Sequence, residues 1–218
     1  MKSHINDIEL HYEVCGQGQP IILLHGNGED HRIFDVLAKQ LSENFTVYAI
    51  DSRGHGESTK TNQLSYQLMA NDIEKFIEIN QIENPILYGF SDGGIVGLLI
   101  ACEHPTLLSK LIISGANSNP KGLKCIWRTW FHIVYFFTRS PKTKLMLHEP
   151  NITKNDLNKI EIPTLVLAGE NDIVKEDDTR FIAGNISGAT LNILPKEDHS
   201  SYVVHSPKLY EIIKNFIE

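Results

Sequence analysis

Ser91 lies in the run Gly89-Phe90-Ser91-Asp92-Gly93-Gly94. An apolar stretch, Ile86 to Tyr88, leads into it, and a second, apolar with small residues, runs from Ile95 to Cys102. Strand, sharp turn and helix in that order put a serine at the tip of a strained turn, with a helix N-terminus behind it. Glycines at 89 and 93 remove Cβ atoms that would clash where strand and helix crowd together. A serine hydroxyl is a poor nucleophile near neutral pH. It needs a base to take its proton and a third group to orient the base. His199 follows the strand-like run Leu191 to Leu194, and Asp172 follows Thr164 to Ala168. The order Ser91, Asp172, His199 suits a parallel sheet carrying all three at one edge. The chemistry of such a set is nucleophilic acyl transfer. From the residues alone, Glu170, Asp177 and Asp178 compete with Asp172, and His205 competes with His199.

The rest of the chain supplies elements to position them. Ile8, Leu10, Tyr12 and Val14 alternate with polar residues, and Asn6-Asp7 signals a turn, which predicts a hairpin over residues 3 to 15. Ile21 to Leu24 is a continuous apolar run, as in a strand buried on both faces. It ends in His25-Gly26-Asn27-Gly28. A helical pattern over 31 to 43 follows, then a strand from Phe45 to Ile50 and the loop Asp51-Ser52-Arg53-Gly54-His55-Gly56-Glu57-Ser58. Residues 65 to 80 read as a helix with Leu68, Met69, Ile73, Phe76 and Ile77 on one face. Leu111 to Ile113 is a further strand. Helices at 177 to 184 and 207 to 218 complete the alternation. It predicts a mostly parallel sheet of about eight strands flanked by helices, with ligands bound beyond the strand carboxyl ends. Residues 117 to about 158 break the rhythm, which predicts one domain over 1–218 with a small helical cap inserted there. Trp127, Trp130, Phe131, Val134 and Phe137 recur there at helical spacing. Packing onto the domain's apolar surface is the expectation for most of them. A pocket wall for an acyl or leaving group is the alternative, and a membrane-surface helix a third.

With 218 residues, 41% apolar and 22% charged, the chain suits one soluble globular domain. A net charge of −7 with no basic run argues against nucleic-acid binding. Cys15, Cys102 and Cys125 have no paired spacing and read as reduced, buried thiols of a cytoplasmic protein. No apolar signal region and no membrane-spanning run is seen. His25 and His55 are expected to hydrogen-bond within their loops, and no metal or other cofactor is expected. Monomer and homodimer both stay open.

His25-Gly26, Asp51-x-Arg53-Gly54-x-Gly56-x-Ser58, Gly89-Phe90-Ser91-Asp92-Gly93-Gly94, Gly169-Glu170-x-Asp172 and Asp198-His199 together resemble the α/β-hydrolase superfamily, in its compact group with a short cap. The resemblance covers essentially the whole chain. It implies that Ser91 is the nucleophile, His199 the base and then acid, and Asp172 the orienting carboxylate. It also implies an oxyanion hole made by the backbone N–H groups of Asn27 and Asp92. The pocket is expected to include Asp92, Trp127, Trp130 and Phe131. Asp198 stands where family members often have glycine.

A serine at 91 argues against the carboxylate-nucleophile members, haloalkane dehalogenases and epoxide hydrolases. Hydrolysis of a small carboxylic ester through an acyl-enzyme is the leading expectation. Amino-acid ester or amide, C–C bond hydrolysis and cofactor-free perhydrolysis are alternatives on the same residues. A small-molecule-sensing signalling protein is the alternative outside enzymology. Asp92 stands where many relatives carry Met, Leu or Gln. If Asp92, Glu29 or Asp30 faced the pocket it would favour a substrate ammonium; hydrogen bonding by Asp92 at the helix start is the competing expectation.

Overall fold

The computed structural model describes residues 1–218. Its strands are β1 (Lys2–Ile5), β2 (Ile8–Cys15), β3 (Gln19–Leu24), β4 (Phe45–Ile50), β5 (Ile86–Phe90), β6 (Lys110–Ser114), β7 (Thr164–Gly169) and β8 (Thr190–Leu194). Its helices are α1 (Asp35–Leu41), α2 (Tyr66–Ile79), α3 (Asp92–Glu103), α4 (Cys125–Thr138), α5 (Pro141–His148), α6 (Lys154–Leu157), α7 (Glu176–Gly184) and α8 (Lys208–Ile217). The strands form one sheet in the order β1-β2-β4-β3-β5-β6-β7-β8. β1 and β2 pair antiparallel, as does β2 with β4, and every other pairing is parallel. This is the mostly parallel, eight-stranded, helix-flanked sheet that the alternating sequence pattern predicts.

Side chains of the central strands divide between two cores with a period of two, as the pleat requires. Ile21 and Leu23 of β3, with Ile86, Tyr88 and Phe90 of β5, pack with Leu37 and Leu41 of α1 and Leu209 and Ile213 of α8. Ile22, Leu24 and Leu87 pack on the other face with Met69, Ile73 and Phe76 of α2, Ile95 and Leu98 of α3, and Ile182 of α7. Both faces are covered, so these strands read as unbroken apolar runs.

Some expectations need correction. Leu68 is exposed and off the core face of α2. The segment after β3 starts as a 3-10 turn at His31–Phe34 before α1, capped by Asp30, which accepts the Arg32 N–H. Cys15 and Cys125 are exposed, and only Cys102 is buried. The aromatic residues of α4 do not join either core, and no residue of that helix is buried.

Two polar hubs hold the loops beyond the strand ends. Asp51 is fully buried. One of its oxygens accepts the backbone N–H of His31 and that residue's Nδ1–H, and the other accepts from His11 Nδ1 and the Glu57 N–H. Arg53, also buried, grips Asp72 of α2 with two bonds of 2.6 and 2.9 Å and reaches Asp7 at 3.1 Å. A fork of this kind satisfies a buried charge that would otherwise be costly.

A close backbone approach marks the point where α3 leaves β5. A Cβ on Gly93 would lie 2.2 Å from the Leu24 carbonyl oxygen of β3, a group that cannot rotate away. Gly93→Ala is therefore expected to lower unfolding free energy by roughly 1–3 kcal/mol in urea denaturation, as overpacking does. Gly184→Ala in α7, with no atom within 4 Å of its would-be Cβ, should fall within about 1 kcal/mol of wild type. Equal effects of the two substitutions would contradict this account of the turn.

Candidate active site

Ser91 is the junction residue between β5 and α3. Its backbone sits at φ 52°, ψ −114°, a strained conformation for a residue with a side chain. Four main-chain hydrogen bonds hold it there. The Ser91 N–H donates to the Ser114 carbonyl at 2.8 Å, the Gly93 N–H donates to the His25 carbonyl at 3.1 Å, and the Ser91 carbonyl accepts from Gly94 and Ile95. The turn is thus tied by main-chain bonds to the loop after β3 and to the last residue of β6.

His199 lies in the loop after β8 and Asp172 in the loop after β7. The structure brings both to Ser91. Ser91 Oγ is 3.1 Å from His199 Nε2, and His199 Nδ1 is 2.7 Å from Asp172 Oδ1. Asp172 is buried, and the same Oδ1 accepts the Val174 N–H at 2.9 Å. An ionised carboxylate can only accept, so Nδ1 carries the imidazole proton and the Nε2 lone pair faces the hydroxyl. The Phe90 ring lies against the imidazole, with centroids 4.9 Å apart. The competing residues lie elsewhere, Asp177 exposed on α7. His205 pairs with Asp35 at the surface, Glu170 accepts the Lys196 N–H, and Asp178 accepts from the N–H and hydroxyl of Ser118.

Gly115 is a site residue that the sequence did not single out. It has φ +62°, and a Cβ there would come within 2.7 Å of His199 Cε1 and 3.3 Å of Asp172 Oδ2. The available signal was its place directly after β6, on the same edge as the other loops.

Asn27 and Asp92 are brought together by their side chains. Asn27 Nδ2 donates to Asp92 Oδ2 at 2.8 Å and to the Lys142 carbonyl of α5 at 3.3 Å. Tyr66 of α2 donates its hydroxyl to Asp92 Oδ1 at 2.8 Å. Neither Asn27 nor Asp92 spends its backbone N–H on the loops around it. Burial pushes the Asp92 carboxyl up to about 6, and the hydrogen bonds from Asn27 and Tyr66 oppose that rise. Burial lowers His25, whose Nδ1 bonds the Gly26 carbonyl while Nε2 accepts the Ser52 N–H. It also lowers His55, to about 3, and that Nδ1 bonds the Arg53 carbonyl. Both rings serve as neutral loop braces.

A cavity of about 380 Å³ opens over Ser91 and His199. Gly26, Asn27, Glu29 and Phe90 form its lower wall, and Trp130, Phe131 and Val134 of α4, with Thr143 and Met146 of α5, its upper wall. Trp130 and Phe131 stand where the sequence predicts. Trp127 does not line the cavity; its ring lies beside that of Phe131, with centroids 6.4 Å apart. Asp92 does not line it either, since its carboxylate is buried between Asn27 and Tyr66. Glu29 does, with Oε2 accepting the Gly26 N–H at 3.0 Å, and burial raises its carboxyl. Asp30 is taken up by Arg32.

A family model described as the alpha/beta hydrolase fold matches residues 19–141. The chain is 26% identical over 251 residues to Serine hydrolase BPHL of Homo sapiens, with 100% of this chain and 86% of that protein covered. Bromoperoxidase from Bacillus anthracis superposes with a TM-score of 0.87 at 20% identity, over 100% of this chain and 99% of that one. Esterase EaEST from Exiguobacterium antarcticum does so at 0.85 and 21%, over 96% of each chain. The matched segment runs from β3 through the Ser91 turn to the end of α4, more than half of the molecule, and the sheet order and flanking helices are those of its neighbours: the chain belongs to the alpha/beta hydrolase family.

Proposed function

We propose that the protein is a serine hydrolase that cleaves small carboxylic esters through an acyl-enzyme on Ser91. The observation carrying this is the continuous relay from Asp172 Oδ1 through His199 to Ser91 Oγ, with spacings of 2.7 and 3.1 Å, at the floor of an open cavity. Ser91 Oγ attacks the acyl carbonyl while His199 Nε2 takes its proton. The N–H groups of Asn27 and Asp92 receive the developing oxyanion, each such donor contributing about 3–4 kcal/mol to the transition state. His199 then protonates the leaving alcohol. Water, activated by the same imidazole, releases the acid and restores Ser91. Asp172 keeps the proton on Nδ1 and offsets the charge of the imidazolium. Support also comes from a relative named a serine hydrolase and a structural neighbour named an esterase. The direct test is fluorophosphonate labelling alongside p-nitrophenyl butyrate turnover. Wild type should label at Ser91, and Ser91→Ala and His199→Ala should each lose roughly 10⁴–10⁶-fold in kcat. A wild type that neither labels nor turns over would overturn the proposal.

A second substrate class is favoured by Glu29. Its carboxylate is in the cavity wall beside Ser91, so an ester carrying an ammonium group would meet a negative partner there. The expectation that Asp92 does this is replaced, because both its oxygens are occupied. Under this reading Glu29→Gln raises KM for α-amino esters by about tenfold and leaves the KM of neutral esters unchanged. Equal changes for both ester types would dismiss it.

Asp92 is a positioning residue in this scheme. Its side chain holds the Asn27 loop while its own N–H is the second oxyanion donor. Its folded-state carboxyl, near 6, lies above the ordinary aspartate value. Between about pH 4 and 6 the folded protein keeps a proton that the unfolded chain has released. Stability from this group is therefore greatest below about pH 4 and falls as pH rises to 6, by up to about 1.4 kcal/mol per pH unit. Asp92→Asn should flatten that part of a urea-denaturation series against pH. An unchanged slope would show that Asp92 is not the titrating group.

A further inference from the structure

We propose that α4 docks the protein on the surface of an anionic lipid bilayer. Six of the eleven large apolar side chains that the protein exposes are on this one helix. Four of them, Ile126, Trp130, Ile133 and Phe137, recur at steps of four, three and four residues, which is one face of a helix. Their exposures are 76, 54, 46 and 78%. Trp127 and Phe136 flank that stripe and are exposed as well. A continuous apolar stripe left in water marks an interaction surface.

The charge around it selects the occupant. Residues 117–148 hold Lys121, Lys124, Arg128, Arg139, Lys142 and Lys144 and not one Asp or Glu. The rest of the chain has 14 Lys or Arg against 27 Asp or Glu. The segment is thus a cationic island of +6 on a body of −13. Lys121 and Lys124 precede α4, and Arg139, Lys142 and Lys144 follow it. The Arg139 guanidinium rests over the rings of Tyr135 and Phe136, 5.5 and 5.7 Å from their centroids, at the end of the stripe. Exposed tryptophans and phenylalanines bordered by cations are what an interfacial helix presents to acidic headgroups. A second copy pairing through α4 would bring two such cationic islands together. At 14 residues the helix is about 21 Å long, too short to span a bilayer, and suits lying along one. No helix of the protein is long and apolar enough to cross a membrane.

Docking would have a consequence for the cavity. Trp130 belongs both to the exposed stripe and to the cavity wall, and Phe131 and Val134 line that wall one helical face around. The cavity mouth would then open beside the lipid, where apolar esters partition.

The chain's two tryptophans, Trp127 and Trp130, both lie on α4, so intrinsic fluorescence reports on this surface alone. The full chain is mixed with phosphatidylcholine vesicles with and without phosphatidylglycerol, at low and high salt. A blue shift and co-sedimentation are expected with the anionic vesicles, weakened by salt. Ile126→Ser combined with Phe137→Ser should weaken partitioning by at least about tenfold, as should Lys121→Glu combined with Lys124→Glu. None of these four residues lines the cavity, so turnover of a soluble ester should be unchanged. Equal binding to vesicles of both compositions, or to neither, would overturn the proposal. So would a solution dimer that the Ile126/Phe137 variant dissociates, with no vesicle binding. Vesicle binding is read without any ester, so its failure is separate from failure of the hydrolase reading.

Discussion

The close passage of α3 over β3 is the constraint from which the site follows. Gly93 leaves no room for a side chain against the Leu24 carbonyl, and Ser91 pays for the sharp reversal with a left-handed φ. That strain is held in place by neighbours on both sides: the Ser114 carbonyl at the end of β6 and the His25 carbonyl after β3. Since β3 and β6 both adjoin β5 in the parallel sheet, their following loops emerge at the same edge as Ser91. β7 and β8 continue the sheet and bring Asp172 and His199 to that edge in turn.

Buried carboxylates organise the loops between these strands, and each solves its desolvation differently. Asp51 is saturated by four donors and holds the segment after β3 to β2 and to the loop after β4. Asp72 takes both arms of the Arg53 fork, a full charge neutralisation. Asp92 has only two side-chain donors, Asn27 and Tyr66, and burial raises its carboxyl more than they lower it, while the bonds to Asp51 hold that carboxyl below the ordinary range.

The sheet and the Ser91–His199–Asp172 relay were legible in the sequence because each has a local signature. Ile21 to Leu24 and Ile86 to Tyr88 are unbroken apolar runs, and glycines at 89 and 93 mark the turn. Asp172 and His199 follow strand-like runs in the expected order. What stayed hidden depends on contacts between distant segments. The side chain of Asp92 is directed by Tyr66, 26 residues away. Gly115 is required by His199 and Asp172, which approach it only in the folded sheet. Periodicity marked the apolar stripe of α4, and periodicity is silent on whether protein or solvent covers such a stripe. Trp127 and Trp130 look alike in the sequence.

Asn27 is held from below by Asp92 and from above by the Lys142 carbonyl at the start of α5. The upper bond joins the floor of the cavity to its roof. A displacement of α5 away from the floor would stretch that bond and free the Asn27 amide to turn, so the position of the roof and the orientation of this one side chain are linked through a single main-chain oxygen.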